Sequence, residues 1–213
     1  MTDPTTDPIP VPAPALAPPA PPGLASVRGR WAAPPVPPRP LATVRLGDDA
    51  TLVVPFTDRA ASANRHYVKS DVGNEYVRCT GPGCLLCALR KEAQGVSLLP
   101  VYVPADAAVA VLSVGDSLRP GALGAQLGPL LDRVMAGEQL VVEVRRKRDY
   151  TYEVSAFTLP PGADDGAAAI GRFKVDLDAG RVKLEDVYPV RSRAELLNVP
   201  ELGREAAMRG IGS

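Results

Sequence analysis

The sequence predicts a mainly β protein, and three observations support that prediction. Between about positions 41 and 160, short runs of β-branched and aromatic residues alternate with turn residues. Aromatic residues make up only 5% of the chain, so its core is expected to be modest and aliphatic. A chain of 213 residues has room for one well-cored domain with appendages.

Five runs with β propensity are predicted strands: residues 50–56, 98–103, 109–114, 140–146 and 150–158. Residues 147–149 join the last two by a connection of hairpin length. Between the third and fourth runs, residues 118–136 carry leucines at helical spacing, which Gly124, Gly128 and Pro129 interrupt. We predict one short helix or two turns there, beginning near Pro129. This order is typical of an OB-fold-like five-stranded barrel, which would occupy residues 41–160.

Two flanking segments differ in composition from this domain. Residues 1–40 hold more than half of the 24 prolines and are predicted to be a disordered proline-rich tail, with a ligand for a PxxP-reading domain as the alternative. Residues 161–213 are predicted to form a small α+β extension: a linker, a hairpin within 172–187 and short helices. Ser192 and Glu195 form a capping-box pattern, and Pro200 opens a second helix.

Charge and cysteine content narrow the class of protein. The formal net charge is zero, so a nucleic-acid partner must be recognised by local charge. The sequence contains no apolar stretch of the roughly 20 residues that span a bilayer, and the N-terminus lacks the pattern of a secretory signal. All three cysteines lie between positions 79 and 87, which is typical of a metal site in a reducing compartment. We expect a soluble, cytoplasmic protein.

The only histidine and the three cysteines form a predicted zinc site of His66, Cys79, Cys84 and Cys87. Cys84 and Cys87 form a Cys-x-x-Cys pair, and the Thr-Gly-Pro-Gly sequence of residues 80–83 allows the reversal that brings Cys79 to them. Four protein ligands predict one structural Zn²⁺ per chain, within a zinc-binding subdomain at about 62–92. Two alternatives remain: a redox dithiol, or buried thiols beside a solvated histidine.

A catalytic zinc is not expected. Zinc deaminases place a glutamate two residues after the histidine and a proline directly before Cys-x-x-Cys. Val68 and Gly83 occupy those positions here. The sequence contains no nucleophile motif and no carboxylate pair clustered with the histidine, so we predict that the protein is not an enzyme.

Two segments combine basic and aromatic residues as single-stranded nucleic-acid sites do. The first surrounds the zinc ligands and consists of Arg65, Tyr67, Lys69, Tyr76 and Arg78. The second lies at the predicted hairpin between the last two strands and consists of Arg145, Arg146, Lys147, Arg148, Tyr150 and Tyr152. The second run could equally be a solvated hairpin tip. Tyr150 and Tyr152 are predicted to share a strand face, where they would stack on bases or face the core.

The order His66, twelve residues, Cys79, a short gap and Cys84-x-x-Cys87, near the start of an OB-like strand series, resembles the T-even phage helix-destabilising single-stranded DNA-binding proteins. The resemblance covers residues 41–160. It implies a zinc subdomain that buttresses an OB fold, with DNA in a cleft between them. It assigns metal ligation to the four residues above and to no others. The basic N-terminal arm and the acidic C-terminal tail of that family are not matched.

These observations lead to one expected function and one alternative. We expect a non-enzymatic single-stranded DNA-binding protein that protects exposed strands in replication, recombination or repair, in a bacterial or phage-infected cell. RNA is a possible second ligand, and replication or recombination proteins are expected partners. The alternative is a zinc-stabilised protein-interaction or scaffold module that acts through its proline-rich arm.

Overall fold

The computed structural model describes residues 41–56, 59–70, 73–160, 162–163 and 165–211. The predicted proline-rich tail lies outside these residues. Within them the strands are β1 (Thr51–Pro55), β2 (Ala61–Ser70), β3 (Gly73–Arg78), β4 (Gln94–Val103), β5 (Ala108–Gly115), β6 (Leu140–Arg146) and β7 (Tyr152–Thr158). The α-helices are α1 (Leu85–Ala88), α2 (Leu123–Met135), α3 (Ala167–Asp178), α4 (Arg193–Leu197) and α5 (Pro200–Met208). Short 3-10 helices span Pro104–Asp106 and Leu184–Val187.

The seven strands form one antiparallel sheet, so the prediction of a mainly β protein is confirmed. Its central path runs β5-β4-β1-β6-β7, and β2 with β3 extends from the first half of β4. The predicted barrel is not closed, because no described residue of β5 pairs with β7. Instead, α2 contacts both strands, and residues 42–44 bond to the edge of β5 at Val111.

The five predicted strands correspond to β1, β4, β5, β6 and β7. Strands β2 and β3 were not predicted as strands, because their alternate positions carry charged, polar and tyrosine side chains and few aliphatic ones. The main core lies on the inner face of the sheet. It includes Leu99 and Val101 of β4, Leu112 of β5 and Val142 of β6, each 7% exposed or less. Burying such a side chain contributes roughly 1.5 to 3 kcal/mol.

Helix α2 is a single helix that continues through Pro129, so the prediction of a start near that proline is wrong. Leu123 and Leu127, in the turns before the proline, are buried in the main core and hold this half of the helix. Gly124 permits the close approach, since a Cβ there would lie 3.2 Å from the Gly115 carbonyl oxygen. Tertiary packing therefore outweighs the backbone bond that proline removes.

The predicted hairpin within residues 172–187 is also wrong, because this segment forms α3 and a 3-10 helix. Phe173 is buried, and Ile170 and Leu177 pack beside it at helical spacing. The predicted turn is the end of α3: Gly180, at φ 66°, donates its N–H to the Leu177 carbonyl, and Arg181 donates to Asp176. Such a pair of bonds with a left-handed glycine is a Schellman cap.

The C-terminal segment covers two surfaces of the sheet. Phe173, Leu184 and Tyr188 pack on the outer face of β4 and β5, against Leu98 and Val111. Helices α4 and α5 pack against β2 and β3. The capping box at Ser192 and the start of α5 at Pro200 are confirmed. Among the described residues, no helix has the length and hydrophobicity needed to cross a membrane.

Candidate metal centre and nucleic-acid interface

The β2–β3 hairpin places the first two predicted metal ligands on one face. His66 pairs with Val77, and the Cys79 N–H donates to the Asn64 carbonyl at 2.8 Å, which extends the ladder by one residue pair. Since paired residues share a face and alternate residues repeat it, His66 and Cys79 project to the same side. We call this side, with Val68 and Val77, the metal face.

A tight turn brings the other two ligands to the metal face. Gly81 and Gly83 have φ of 73° and 89°, a left-handed conformation that favours glycine. The Cys84 N–H donates to the Gly81 carbonyl at 3.0 Å, and α1 begins directly after Cys84. Cys87 then lies one turn of helix further along, so both sulfurs of the Cys-x-x-Cys pair reach the same point.

The ligand atoms of His66, Cys79, Cys84 and Cys87 all lie within 4.8 Å of one another. The Cys79 and Cys87 Sγ atoms are 3.5 Å apart, and His66 Nε2 is 3.6 Å from Cys84 Sγ and 3.4 Å from Cys87 Sγ. Tetrahedral zinc at ordinary bond lengths separates two sulfurs by about 3.8 Å and a sulfur from a nitrogen by about 3.6 Å. These four residues could hold a metal ion, and their spacing fits zinc. A disulfide bond would need about 2.05 Å between sulfurs.

His66 is oriented for ligation through Nε2. Its side chain is fully buried, and Nδ1 lies 3.0 Å from the Glu92 carbonyl oxygen. Because a carbonyl oxygen only accepts, Nδ1–H is the donor and Nε2 keeps its lone pair for a metal. Glu92 therefore fixes the tautomer that a zinc site requires.

The electrostatics of the three thiols also suit a cation. Burial raises the pKa of the Cys84 thiol, but backbone N–H groups of Cys87, Thr80 and Leu86 outweigh it and lower the pKa overall. Burial, together with the neighbouring Cys79 and Cys84 sulfurs, raises the pKa of the Cys87 thiol to about 12. Adjacent thiolates repel one another, and a divalent cation relieves this repulsion.

The metal face has a small apolar core of its own. Leu85, Leu86 and Leu89 around α1 are buried together with Leu196 and Leu202 of the two C-terminal helices. Metal ligation and the C-terminal helices act on the same side of the hairpin.

The opposite side of the hairpin, which we call the tyrosine face, carries all five residues predicted near the zinc ligands: Arg65, Tyr67, Lys69, Tyr76 and Arg78. Tyr67 pairs with Tyr76 across the strands, with ring centroids 5.3 Å apart. These side chains are 47% and 37% exposed. Two neighbouring aromatic rings that are open to solvent offer a surface on which bases can stack.

Arg65 carries a positive charge with no carboxylate partner among the described residues. Its guanidinium lies over the Tyr76 ring at 3.7 Å and donates to the Tyr188 hydroxyl at 2.5 Å and to Ser113 Oγ at 3.1 Å. Its Nε is buried without a hydrogen-bond partner. Half-buried charges are normally paired with an opposite charge, and Arg65 has no such partner in the described part of the chain.

The other two cations of the tyrosine face differ from each other. Lys69 is exposed and makes no ion pair in the described ranges. Arg78 is paired with Asp186 at 3.1 Å, and its side chain is 31% exposed. Lys69 is therefore available to an external anion, whereas Arg78 already has a partner.

The second predicted segment forms the tip of the β6–β7 hairpin, and nearby carboxylates reduce its charge. Arg145 lies 3.9 Å from Glu143, and Lys147 lies 3.6 Å from Glu153. Arg146 lies over the Tyr150 ring at 4.5 Å. Arg148 makes no ion pair within the described part of the chain. Two strands, β4 and β1, separate β2 from β6 in the sheet.

The prediction that Tyr150 and Tyr152 share a strand face is wrong. Tyr150 lies in the turn before β7, at φ 62°, and is 73% exposed. Tyr152 begins β7 and packs against the main core. The strand β7 begins at Tyr152, two residues later than the sequence indicated, which leaves Tyr150 outside the strand.

Three residues that contact the tyrosine face could not be identified from the sequence: Ser113, Asp186 and Tyr188. Ser113 and Tyr188 lie 48 and 123 positions from Arg65, and Asp186 lies 108 positions from Arg78. No local pattern marks contacts over such distances.

A cleft of about 600 Å³ lies between the β2–β3 hairpin and the rest of the sheet. Its lining includes Arg78 and Lys183, but also Asp116 and Glu185. Because these charges balance, this cleft lacks the positive surplus that a phosphate backbone favours.

Comparison of the chain with protein-family models, with curated proteins and with solved structures gives no match.

Proposed function

We propose that this protein binds single-stranded nucleic acid, with DNA as the principal ligand, through the tyrosine face of the β2–β3 hairpin. The observation that carries the proposal is the exposed Tyr67 and Tyr76 pair beside Arg65 and Lys69, two cations without a carboxylate partner among the described residues. Stacked aromatic rings and unpaired cations are what a flexible strand of bases and phosphates requires.

We propose zinc as the metal, with a structural role. One imidazole and three thiolates are a donor set that zinc prefers, and four protein ligands leave no position for a substrate. Bound zinc would hold His66 and Cys79 of the hairpin to α1. The tyrosine face would then be a rigid surface, because the metal fixes the strands from the opposite side.

The strand order supports an OB-like, partly open barrel. The path β5-β4-β1-β6-β7, with α2 between β5 and β6, has five strands and one helix in the predicted order. OB folds bind oligonucleotides through the face of strands two and three and through the loops after strands one and four. In the proposed correspondence, the β2–β3 hairpin and the β6–β7 tip occupy those two loops.

In this chain, β4 and β5 correspond to strands two and three of an OB fold, and their outer face is not available in the same way. Phe173, Leu184 and Tyr188 cover the outer face of β4 and β5. The tyrosine face continues this outer face beyond Tyr188, since Ala63 pairs with Val96 and Arg65 follows on the same side. We therefore assign the main contact to the hairpin.

The family resemblance adds context to this proposal. The ligand order and the position of the hairpin after the first strand agree with a phage-type single-stranded DNA-binding protein, acting in replication, recombination or repair. The alternative, a scaffold acting through the proline-rich arm, concerns residues outside the described part of the chain, so no structural observation favours it.

The proposal is tested by titrating oligo(dT) with the zinc-loaded full chain at two salt concentrations. We expect binding that weakens steeply with salt, by about 0.7 logarithmic units per tenfold salt for each phosphate contact. Tyr67→Ala should weaken binding, while Leu118→Ala, which removes an even more exposed apolar side chain outside the hairpin, should not. Absent or salt-insensitive binding by the parent chain would rule the function out.

A further inference from the structure

The segment Asp186–Arg191, which we call the strap, runs along the edge of β3. The Pro189 carbonyl accepts the Arg78 N–H at 3.0 Å, as a neighbouring strand would. Before this point, Tyr188 lies on the tyrosine face, with its ring centroid 6.3 Å from that of Tyr76. After it, Arg191 pairs with Glu75 at 2.9 Å and the chain enters α4. The strap therefore crosses from the tyrosine face to the metal face.

Two strap side chains contact cations of the tyrosine face, and they do so differently. Tyr188 is buried, receives a hydrogen bond from Arg65 and donates one to Ser113 at 2.5 Å. It orients the Arg65 guanidinium without neutralising it. Asp186 is exposed and pairs with the Arg78 guanidinium, so it removes one positive charge from the same surface.

The Arg78–Asp186 pair is open to exchange. The two side chains are 31% and 58% exposed, and exposed ion pairs contribute little to stability. A nucleic-acid phosphate could therefore take the place of the carboxylate on Arg78. The carboxylate would still oppose this exchange, because it lies beside the position that the phosphate needs and carries the same charge.

We propose that Asp186 limits the affinity of the tyrosine face by occupying the phosphate position on Arg78. This inference rests on the proposed function and adds a role for the C-terminal extension: Tyr188 positions Arg65, and Asp186 determines whether Arg78 takes part in binding. The ligand is the phosphate backbone of a single strand, and Arg65 and Lys69 contact it whether or not Arg78 is free.

The test compares oligo(dT) binding by the zinc-loaded parent chain and by Asp186→Asn, which keeps the size of the side chain and removes its charge. We expect three- to fivefold tighter binding and a salt dependence steeper by about 0.7 for one additional phosphate. The matched control is Asp176→Asn, which frees Arg181 from another exposed ion pair, at the C-terminal end of α3. It should leave affinity unchanged within about 1.5-fold.

A double-mutant cycle identifies the residue through which Asp186 acts. In an Arg78→Gln background, Asp186→Asn should have no effect on affinity, because no guanidinium is left to release. Thermal unfolding of each variant checks that the fold is intact.

The outcomes separate this inference from the proposed function. If the parent chain binds and Asp186→Asn binds no better, or if the gain persists without Arg78, the role of Asp186 is wrong and the proposed function stands. If the parent chain does not bind oligo(dT), both are wrong.

Discussion

The β2–β3 and β6–β7 hairpins have similar basic and aromatic sequences but differ in how much of that chemistry faces outward. In the β2–β3 hairpin, the two tyrosines form a cross-strand pair, and Arg65 and Lys69 have no carboxylate partner in the described residues. At the β6–β7 tip, Arg145 and Lys147 each lie close to a glutamate. Two of the three basic residues in the β2–β3 hairpin, but only two of the four at the β6–β7 tip, lack a carboxylate partner among the described residues.

The comparison also shows why only one hairpin has different kinds of polar residue on its two sides. The β2–β3 hairpin has the candidate metal ligands on one side, and its tyrosines lie on the other. The β6–β7 hairpin belongs to the main sheet, so alternate residues such as Tyr152 and Val154 must face the core. A surface for binding forms more readily where something other than the main core holds the strands.

The largest expected difference between the hairpins is in their dependence on metal. Cys84→Ser should reduce the zinc content from about one ion per chain to near zero, measured by elemental analysis. Structural zinc contributes roughly 10 to 16 kcal/mol to folding in small zinc domains. We therefore expect a loss of several kcal/mol in the free energy of unfolding, and loss of oligo(dT) binding.

Thr80→Ala is the control, because this exposed residue lies between the ligands without being one. It should retain zinc and binding. Full zinc content in Cys84→Ser would contradict the assignment of the site.

The Tyr152→Ala variant tests whether the β6–β7 hairpin contributes to the main core. We expect a loss of about 2 to 3 kcal/mol in the free energy of unfolding, since a partly buried aromatic ring is removed. Chemical denaturation measures this loss. Tyr152→Phe should be near neutral, and oligo(dT) affinity should change less than twofold in both. A stable but non-binding Tyr152→Ala would place this ring in the interface after all.

Tyr67→Ala and Tyr150→Ala compare the exposed rings of the two hairpins directly. Base stacking contributes about 1 to 3 kcal/mol per ring, so Tyr67→Ala should weaken oligo(dT) binding at least fivefold. Tyr150→Ala should weaken it less than twofold, because this ring lies in the turn before β7 and has no neighbouring aromatic ring among the described residues. Fluorescence anisotropy at constant salt gives both values. A larger loss of affinity in Tyr150→Ala than in Tyr67→Ala would show that the main contact lies at the β6–β7 tip.

Lys69→Ala and Lys147→Ala should give the smallest difference. Lys69 has no carboxylate partner in the described ranges, so its removal should lower the salt dependence of binding by about 0.7. Lys147 lies 3.6 Å from Glu153, and its removal should change the slope by less than about 0.3. Titrations at four salt concentrations resolve this difference. Equal slopes would show that pairing does not decide which cations bind phosphate.

Local patterns predicted a large part of the fold. The runs that became β1, β4, β5, β6 and β7 were recognisable because aliphatic side chains must be buried at those positions. The capping box at Ser192 and the proline start of α5 were recognisable because both depend on neighbouring residues only. The failures were at α2 and α3. At α2, core packing outweighed Pro129. At α3, Phe173 and Leu177 share one side of a helix with Ile170, while Val175, the residue that completed the apparent alternation, is exposed.

The sequence by itself determined the candidate ligand set, because a single histidine and three clustered cysteines leave few other arrangements. It also singled out Arg65, Tyr67, Lys69, Tyr76 and Arg78 as candidates for nucleic-acid contact, but it did not predict the strands β2 and β3 that place them on one face. Only the tertiary structure decided which of their charges are available. That depends on Asp186 and Tyr188, more than 100 positions away in the chain, and on the covering of β4 and β5 by the C-terminal segment. Long-range packing sets these contacts, and no local spacing encodes them.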